Sequence, residues 1–277
     1  MEKTLFIFGF GYSARALARL LQGEFTIIGT SREVGDGVIQ WPGSDITAPL
    51  SKTTHLLISA GPDADGDPVL RQVRDHIAQI APQLQWVGYL STTGVYGDHR
   101  GGWVDEETPL SPSTKRGQQR VKAEAAWQEL AAETGLPLHI FRLAGIYGPG
   151  RGPFAKVRRG TARRIIKKNQ VFSRIHVDDI AQVLAASIAR PNPGRIYNVC
   201  DDLAAPPEDV LAHAADLLGV PHPPAEDFET AEMTPMARSF YAESKRVQNE
   251  RIKDELEVKL LYPTYRDGLA ALLKAKG

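Results

Sequence analysis

The chain contains one cysteine, Cys200, among its 277 residues. A single cysteine excludes an intrachain disulfide framework and favours a reducing compartment, so we expect a cytoplasmic protein. Lysine plus arginine and aspartate plus glutamate both total 33, so no net charge favours nucleic acid or a membrane surface as the main partner. No run approaches the ~18 apolar residues of a membrane span, and glycine, tyrosine and arginine interrupt the apolar start before a signal peptide is complete. The sequence predicts a soluble, unprocessed chain.

The charge is nevertheless uneven along the chain. Residues 151–168 include eight basic side chains and no acidic one, whereas residues 226–232 are acidic. The basic residues are Arg151, Lys156, Arg158, Arg159, Arg163, Arg164, Lys167 and Lys168. Arginines offer planar forks to an anionic ligand, and the alternative is a solvated helix face or a partner contact. Nucleic-acid binding by this stretch is a third hypothesis.

Short runs of β-branched and aromatic residues alternate with stretches of helical apolar spacing in the first half of the chain. Strands are predicted from Thr4, Phe25, Gly37, His55, Trp86 and Pro137, and helices over 14–21, 67–80 and 117–132. The strands are almost continuously apolar, as expected for a parallel sheet covered on both faces. The pattern predicts an α/β fold with a Rossmann-type doubly wound parallel sheet.

The alternation of strand and helix patterns becomes less regular after Gly148, where proline and glycine become frequent. From there we expect, in chain order, a basic helix up to Lys168, a strand from Arg195, a helix from Pro206 to near Gly219, a loop from Pro221 and a helical C-terminus with a break at Pro263. We therefore divide the chain into a dinucleotide-binding core, residues 1–150, and a mixed region, residues 151–277. The second region adds sheet and helix elements and a small C-terminal substrate lobe.

A GxGxxA motif formed by Gly9, Gly11 and Ala14 follows the first strand and opens the first helix. In this context Gly9 permits a tight turn, Gly11 lets a pyrophosphate approach the backbone, and Ala14 lets helix and strand pack closely. The alternative is a glycine-rich turn without a ligand. The motif predicts dinucleotide binding.

The end of the second strand indicates which dinucleotide is bound. An acidic residue there would accept hydrogen bonds from the ribose of NAD, but the chain has Ser31 and Arg32, which suit the 2′-phosphate of NADP. Glu33 lies just beyond, so NAD remains the second choice, and the alternative for Arg32 is a solvated surface charge. We predict NADP.

Four further motifs follow in order: STTGVYGD from Ser91, RLAGIYGPGR from Arg142, RIHVDDIA from Arg174 and YNVCDD from Tyr197. Their order and spacing resemble the extended short-chain dehydrogenase/reductases, the family of nucleotide-sugar epimerases and dehydratases, over nearly the whole chain. The resemblance implies that Asp45 and Ile46 flank the adenine ring and that Ser59 and Ala60 line the cofactor. It also implies a homodimer through the helices near 67–80 and 117–132.

The resemblance places the catalytic Ser or Thr of the family at Thr92 and aligns the family pattern YGxxKxxxE with residues 116–124. The family tyrosine is then replaced by Arg116 and the lysine by Arg120. Arginine stays protonated and cannot exchange a proton with a substrate hydroxyl, a function commonly worth ~10²- to 10⁴-fold in rate. Arg116 could instead bind or stabilise an anion, and Arg120 could hold the nicotinamide ribose. The alternative for both is an exposed helix face.

Tyr96 and Tyr147 are candidates for proton donation and substrate contact because both follow strand ends, and core packing is the alternative for their rings. The resemblance also implies that the segment from Arg151 closes over the diphosphate of a nucleotide sugar. Tyr241 and Lys245 form a YxxxK pair that we attribute to chance, since it follows all the sheet strands.

His176 precedes Asp178 and Asp179, and we interpret it as structural, with an aspartate as the helix N-cap. No histidine or cysteine spacing is typical of a metal site, so we predict no metal.

These observations predict an NADP-binding, epimerase/dehydratase-like oxidoreductase. Its partner would be a small anionic substrate, with a nucleotide sugar as the candidate. The alternative is a non-catalytic NADP sensor or binding module, because the usual tyrosine and lysine are absent. The sequence is consistent with both an enzyme and a non-catalytic binding protein.

Overall fold

The structure, a computed structural model, describes residues 2–35 and 37–275. Its strands are β1 (Thr4–Phe8), β2 (Thr26–Ser31), β3 (Val38–Gln40), β4 (His55–Ile58), β5 (Trp86–Thr92), β6 (Trp103–Val104), β7 (Leu138–Leu143), β8 (Gly145–Tyr147), β9 (Arg164–Ile166), β10 (Arg174–His176), β11 (Ile196–Val199), β12 (Ala225–Asp227) and β13 (Arg246–Val247). Its α-helices are α1 (Tyr12–Leu20), α2 (Thr47–Ser51), α3 (Pro68–Ile80), α4 (Lys115–Thr134), α5 (Phe154–Arg158), α6 (Val177–Ala189), α7 (Pro207–Leu218), α8 (Pro235–Phe240), α9 (Glu250–Asp254) and α10 (Tyr265–Lys274).

Seven strands form one parallel sheet in the order β11-β7-β5-β4-β1-β2-β3. The order reverses between β1 and β4, and in sheets of this kind ligands bind in the crevice outside the carboxyl ends of the strands at that point. The predicted doubly wound sheet is therefore confirmed. Strand β11 comes from the second half of the chain, so the mixed region beyond residue 150 contributes one edge of this sheet.

Buried apolar side chains on both faces hold the helices against the sheet. On one face, Ile7 of β1 belongs to the same cluster as Leu17 of α1 and Ile180 of α6. On the other, Phe8 clusters with Ile77 of α3 and with Trp127 of α4. Burial on both faces explains why these strands have no polar alternation in the sequence.

The predicted basic helix up to Lys168 is wrong. Helix α5 ends at Arg158, Gly160 adopts a φ of +65°, and the chain then forms β9, which pairs with β12. The acidic stretch lies beside this strand, and Arg163 forms an ion pair with Glu226 at 2.9 Å. Opposite charges that are distant in sequence thus partly neutralise each other beside β9 and β12.

The C-terminal region also differs from the expected loop followed by helices. Strand β12 interrupts the predicted loop, and β13 pairs with β6, far from it in sequence. The break at Pro263 is present, and α10 begins just beyond it with a capping box between Thr264 and Asp267. Within residues 2–35 and 37–275, every helix is too short or too polar to cross a lipid bilayer.

Candidate active site

The turn between β1 and α1 can be formed only by glycine at its first position. Gly9 has a φ of +85°, and a Cβ atom built on it would lie 2.8 Å from the backbone nitrogen of Ala60. Its own N–H donates to Oγ1 of Thr30 at 3.2 Å. The turn is therefore pressed against the end of β4 and anchored to β2, as the sequence predicts for a Rossmann-type loop.

Gly11 is the N-cap of α1 and faces open space. A Cβ atom on Gly11 would meet nothing closer than the Gly9 carbonyl oxygen at 3.9 Å. Among the residues that the structure describes, no side chain caps α1, and the first turn of this helix contains no acidic residue. Ala14 is fully buried where the helix meets the sheet. Uncapped N–H groups at an accessible helix N-terminus suit a pyrophosphate, so the residues present fit a dinucleotide.

Residues at the ends of β2 and β3 form the outer part of the crevice. Ser31 ends β2, and Arg32 follows it with an exposed side chain. Oγ of Ser31 accepts a hydrogen bond from Glu33 N at 3.1 Å. Asp45 is exposed, and hydrogen bonds from Thr47 hold its pKa below the usual value. Ile46 beside it is buried.

The end of β4 forms the inner part of the crevice. The N–H groups of Ser59 and Ala60 donate to Phe8 O at 2.8 and 2.9 Å. Ser59 and Ala60, with Arg32, Asp45 and Ile46, thus lie after successive strands at the carboxyl edge of the sheet. Their assignment to the cofactor stays a prediction.

Helix α4 brings Arg120 to the sheet. Nη1 of Arg120 donates to the carbonyl oxygen of Leu90, and its guanidinium lies 5.7 Å from the ring centroid of Tyr89. A Cβ atom on Gly61 would be 3.2 Å from Nη2 of Arg120. The guanidinium therefore spans the ends of β4 and β5, within the crevice where the sequence predicts the nicotinamide ribose.

Thr92 lies at the end of β5, where its Oγ1 accepts a hydrogen bond from Gly94 N at 3.2 Å and begins a short 3₁₀ turn. Helix α4 crosses this turn so closely that a Cβ atom on Gly117 would lie 2.7 Å from the Gly94 carbonyl oxygen. The structure thus brings Thr92 and Arg120 to the same strand end. Arg116 is exposed, one helical turn before Arg120.

A buried polar network lies beneath these residues, and it was not predicted from the sequence. Glu124 accepts from Ser91 Oγ at 2.5 Å and from Arg142 Nη2 at 2.8 Å. Arg142 also donates to the Tyr96 hydroxyl at 3.0 Å, and that hydroxyl donates to Asn198 Oδ1 at 2.7 Å. All five side chains are 4% exposed or less. The one sequence signal for this network is that Glu124 occupies the glutamate position of the family pattern YGxxKxxxE.

The two candidate tyrosines are both buried. Tyr96 is inaccessible, and burial raises its pKa to about 12. Tyr147 packs edge-on against His176, with ring centroids 5.2 Å apart, and burial raises its pKa well above the usual value. Both positions match the core-packing alternative, and substrate contact by either stays a prediction.

Arg151 lies above the start of α1. Its guanidinium is 5.8 Å from the ring centroid of Tyr12, whose hydroxyl donates to Pro149 O at 2.9 Å. The loop that contains Arg151 is thereby connected to the GxGxxA loop. Arg151 thus lies beside the first residue of α1, and its binding to substrate stays a prediction.

Lys245 of the YxxxK pair has a structural contact that the sequence did not indicate. Its Nζ donates to Gly97 O at 2.6 Å and to Glu243 Oε2 at 2.7 Å. Glu243 in turn accepts from Ser113 Oγ at 2.7 Å. Tyr241 lies elsewhere, 5.3 Å from the ring centroid of Phe228. Lys245 thus connects the segment before β13 to the loop that follows Tyr96.

The expected aspartate N-cap of α6 is wrong. His176 itself is the N-cap, and its Nδ1 accepts a hydrogen bond from Asp178 N at 3.2 Å. Asp179 instead accepts from the backbone of Leu261 and Tyr262 at 2.6 and 3.2 Å, and burial raises its pKa to about 6. A ring nitrogen two residues before the donor can replace a carboxylate in this role.

Residues 76–200 match the NAD dependent epimerase/dehydratase family. The chain is 59% identical to a functionally unknown conserved protein from Silicibacter pomeroyi, with a TM-score of 0.94 and 99% of both chains covered. It is also similar to dTDP-glucose 4,6-dehydratase from Bacillus anthracis in complex with NAD, at 17% identity and a TM-score of 0.80 over 98% of this chain and 96% of that one. This second likeness shows the fold.

Two further relatives have been described by name. The protein YeeZ from Escherichia coli K12 is 27% identical over 243 residues, which are 80% of this chain and 86% of YeeZ. A 3-diazoavenalumate denitrifying reductase from a Streptomyces species is 29% identical over 181 residues, which are 60% of this chain and 58% of that protein. The resemblance that the four sequence motifs indicated is confirmed.

Proposed function

Because residues 76–200 match the NAD dependent epimerase/dehydratase family, we propose that this chain is an NADP-dependent oxidoreductase of that family and acts on a small anionic substrate. The observation that carries the proposal is the position of Arg120, whose guanidinium spans Gly61 and the Leu90 carbonyl beside Thr92. A fixed positive charge at this edge of the sheet suits an anion held against the nicotinamide. A nucleotide sugar is the candidate substrate, because the similar fold of dTDP-glucose 4,6-dehydratase belongs to an enzyme named for a nucleotide sugar.

NADP rather than NAD is proposed from the end of β2. Arg32 is exposed directly after the strand, and Ser31 and Arg32 stand at the strand end where an acidic residue would bind the ribose of NAD. An arginine can grip a phosphate with two parallel hydrogen bonds. The dTDP-glucose 4,6-dehydratase and a UDP-glucuronic acid 4-epimerase of similar fold are both in complex with NAD, so the proposed preference for NADP rests on Ser31 and Arg32 of this chain.

The replacement of tyrosine and lysine by arginine determines the type of reaction that the site supports. The nicotinamide supplies or accepts a hydride when it is bound. An arginine side chain does not serve as a proton donor or acceptor in catalysis, so Arg116 and Arg120 act on the substrate by stabilising its negative charge. We therefore propose reduction of an electrophilic substrate whose hydride step needs no proton from a tyrosine, and the reductase among the relatives supports this class.

Consumption of NADPH tests this function. The wild-type chain is incubated with NADPH and a panel of nucleoside-diphosphate sugars and carboxylate-bearing electrophiles, while the absorbance of reduced nicotinamide is followed. Arg120→Met removes the charge at the crevice, and Lys122→Met removes an exposed charge two residues further along the same helix. We expect turnover that falls by about 10²-fold in the first variant and is unchanged in the second.

A non-catalytic dinucleotide-binding module is the second candidate. The observation that favours it is the loss of both proton-transferring residues, with Arg116 exposed and Arg120 hydrogen bonded to the backbone. Tight NADPH binding with no turnover on any substrate of the panel would establish this candidate and reject the oxidoreductase.

A further inference from the structure

A cavity of about 80 Å³ opens at the carboxyl end of β11, at the edge of the main sheet. Strands β5 and β7 separate β11 from β4, so the cavity is distinct from the proposed dinucleotide crevice. Its wall includes Trp103, Asp201, Asp202, Asn249, Glu250 and Lys253. No part of the proposed oxidoreductase function uses these residues.

Asp201 is a buried acceptor with an unused oxygen. The residue is 2% exposed, and burial raises its pKa to about 8. Oδ1 accepts from Leu203 N at 3.3 Å, whereas Oδ2 has no hydrogen-bond partner among the residues that the structure describes. A buried carboxyl oxygen without a donor is unfavourable, so a ligand that brings a donor to the cavity would be stabilised there.

The cations near Asp201 are already engaged by other groups. Lys253 Nζ donates to Asp202 Oδ1 at 2.7 Å, and Asn249 Nδ2 donates to the same oxygen at 2.8 Å. Arg174 attracts Asp201 electrostatically, but its Nη1 donates to Phe172 O at 2.9 Å and Ala205 O at 3.0 Å. Within residues 2–35 and 37–275, no cationic side chain lies within ion-pair distance of Asp201.

Trp103 gives the same cavity an aromatic surface. It is 59% exposed, whereas Trp41, Trp86 and Trp127 are at most 7% exposed. The pairing of β6 with β13 holds Trp103 beside Val247 and Asn249 of the cavity wall. A cation near the face of an indole gains about 0.5–1 kcal/mol at an exposed site.

We propose that this cavity binds the primary ammonium group of a small molecule, with Asp201 as its hydrogen-bond acceptor and Trp103 as its cation–π partner. The cavity has room for such a group, because a single water needs only about 10–15 Å³ of the same space and the cavity offers about 80 Å³. A metal ion is a poorer fit, since no group of three or more potential metal-binding side chains occurs in the described part of the chain.

Titration of the full chain with n-butylammonium at pH ~9, where Asp201 is ionised and the alkylammonium is still protonated, tests the ammonium site without dinucleotide and independently of the proposed oxidoreductase. Binding is followed by tryptophan fluorescence and by saturation-transfer NMR of the ligand, and 1-butanol serves as the neutral probe of similar shape. We expect saturable binding of butylammonium and none of butanol. Asp201→Asn weakens the binding by about tenfold or more, and Trp103→Leu by about threefold.

Glu257→Gln is the matched control, because Glu257 is an exposed acid paired with Arg190 away from the cavity, and it leaves the affinity unchanged. The thermal midpoint of Asp201→Asn shows whether this variant is folded. If Asp201→Asn is unfolded, the affinity of Trp103→Leu for butylammonium tests the proposal instead. Equal binding of butanol, no saturable binding, or unchanged affinity in a folded Asp201→Asn or in Trp103→Leu overturns the proposal.

Discussion

Glu124 of α4 and Arg142 of β7 form an ion pair at 2.8 Å in which the side chains are 2% and 3% exposed. The pair joins the helix that carries Arg116 and Arg120 to the strand beside β5. The spacing between the two arginines and the sheet therefore depends on this buried ion pair.

The first prediction concerns this ion pair. Glu124→Gln leaves the Arg142 charge buried without its partner, so we expect the free energy of unfolding to fall by about 3 kcal/mol in urea denaturation. The double variant Glu124→Gln/Arg142→Met also removes the unpaired buried charge, so it recovers part of the lost free energy of unfolding. Asp63→Asn, at an exposed ion pair with Arg71, leaves the midpoint unchanged. Equal stability of Glu124→Gln and the wild type would contradict a structural role for the pair.

The second prediction separates two glycines of one loop. Gly9→Ala places a methyl group 2.8 Å from Ala60 N at a φ of +85°, so we expect a lower thermal midpoint. Gly11→Ala meets open space at a φ of −92°, so the fold persists, but the methyl group obstructs the pyrophosphate and NADPH affinity falls. Calorimetric titration of both variants checks this, and NADPH affinity unchanged in Gly11→Ala would argue against binding at this loop.

The third prediction concerns acid stability. Burial lowers the pKa of His55 and of His139 to about 4, below the value near ~6.5 of an unfolded chain. Their contribution is complete above ~6.5 and is lost as the pH falls towards 4, because only the unfolded chain takes up the protons. His139→Gln should therefore reduce the loss of unfolding free energy between pH ~6.5 and ~4.5 by about 2 kcal/mol. An identical pH profile in both proteins would reject the assignment.

The fourth prediction concerns Asp201, which titrates in the opposite sense. Burial raises its pKa to about 8, so the fold favours the protonated carboxyl and loses stability as the pH rises through that value. We expect Asp201→Asn to raise the thermal midpoint at pH ~9 more than at pH ~5. Asp202→Asn, which removes the partner of Lys253, should show no such gain. A lower midpoint of Asp201→Asn at high pH would mean that the carboxylate is satisfied in the fold.

The strands of the main sheet could be predicted because both faces of the sheet are covered, which leaves apolar runs such as residues 4–8 and 55–58 between turn residues. The pairing of β9 with β12 and of β13 with β6 could not be predicted. These strands have two or three residues each, too few for a periodicity, and their partners lie far away in the chain.

The candidate site, too, could be predicted from the sequence only in part. The GxGxxA loop has a local signature, since Gly9 needs its φ and Gly11 its open approach wherever the rest of the chain goes. The Glu124–Arg142 pair and the Lys245–Gly97 contact depend on tertiary packing, which brings together residues with no shared motif. Burial of Tyr96 and Tyr147 has the same origin, because a strand-end tyrosine has one sequence context whether its hydroxyl faces solvent or the core.

Calorimetric titration with NADPH and NADH measures whether the crevice between β1 and β4 binds a dinucleotide. We expect the wild type to bind NADPH more tightly than NADH. Arg32→Ala should remove most of this difference, because the guanidinium no longer meets the 2′-phosphate, and should retain NADH binding. Failure of the wild type to bind either dinucleotide would show that this crevice is not a dinucleotide site.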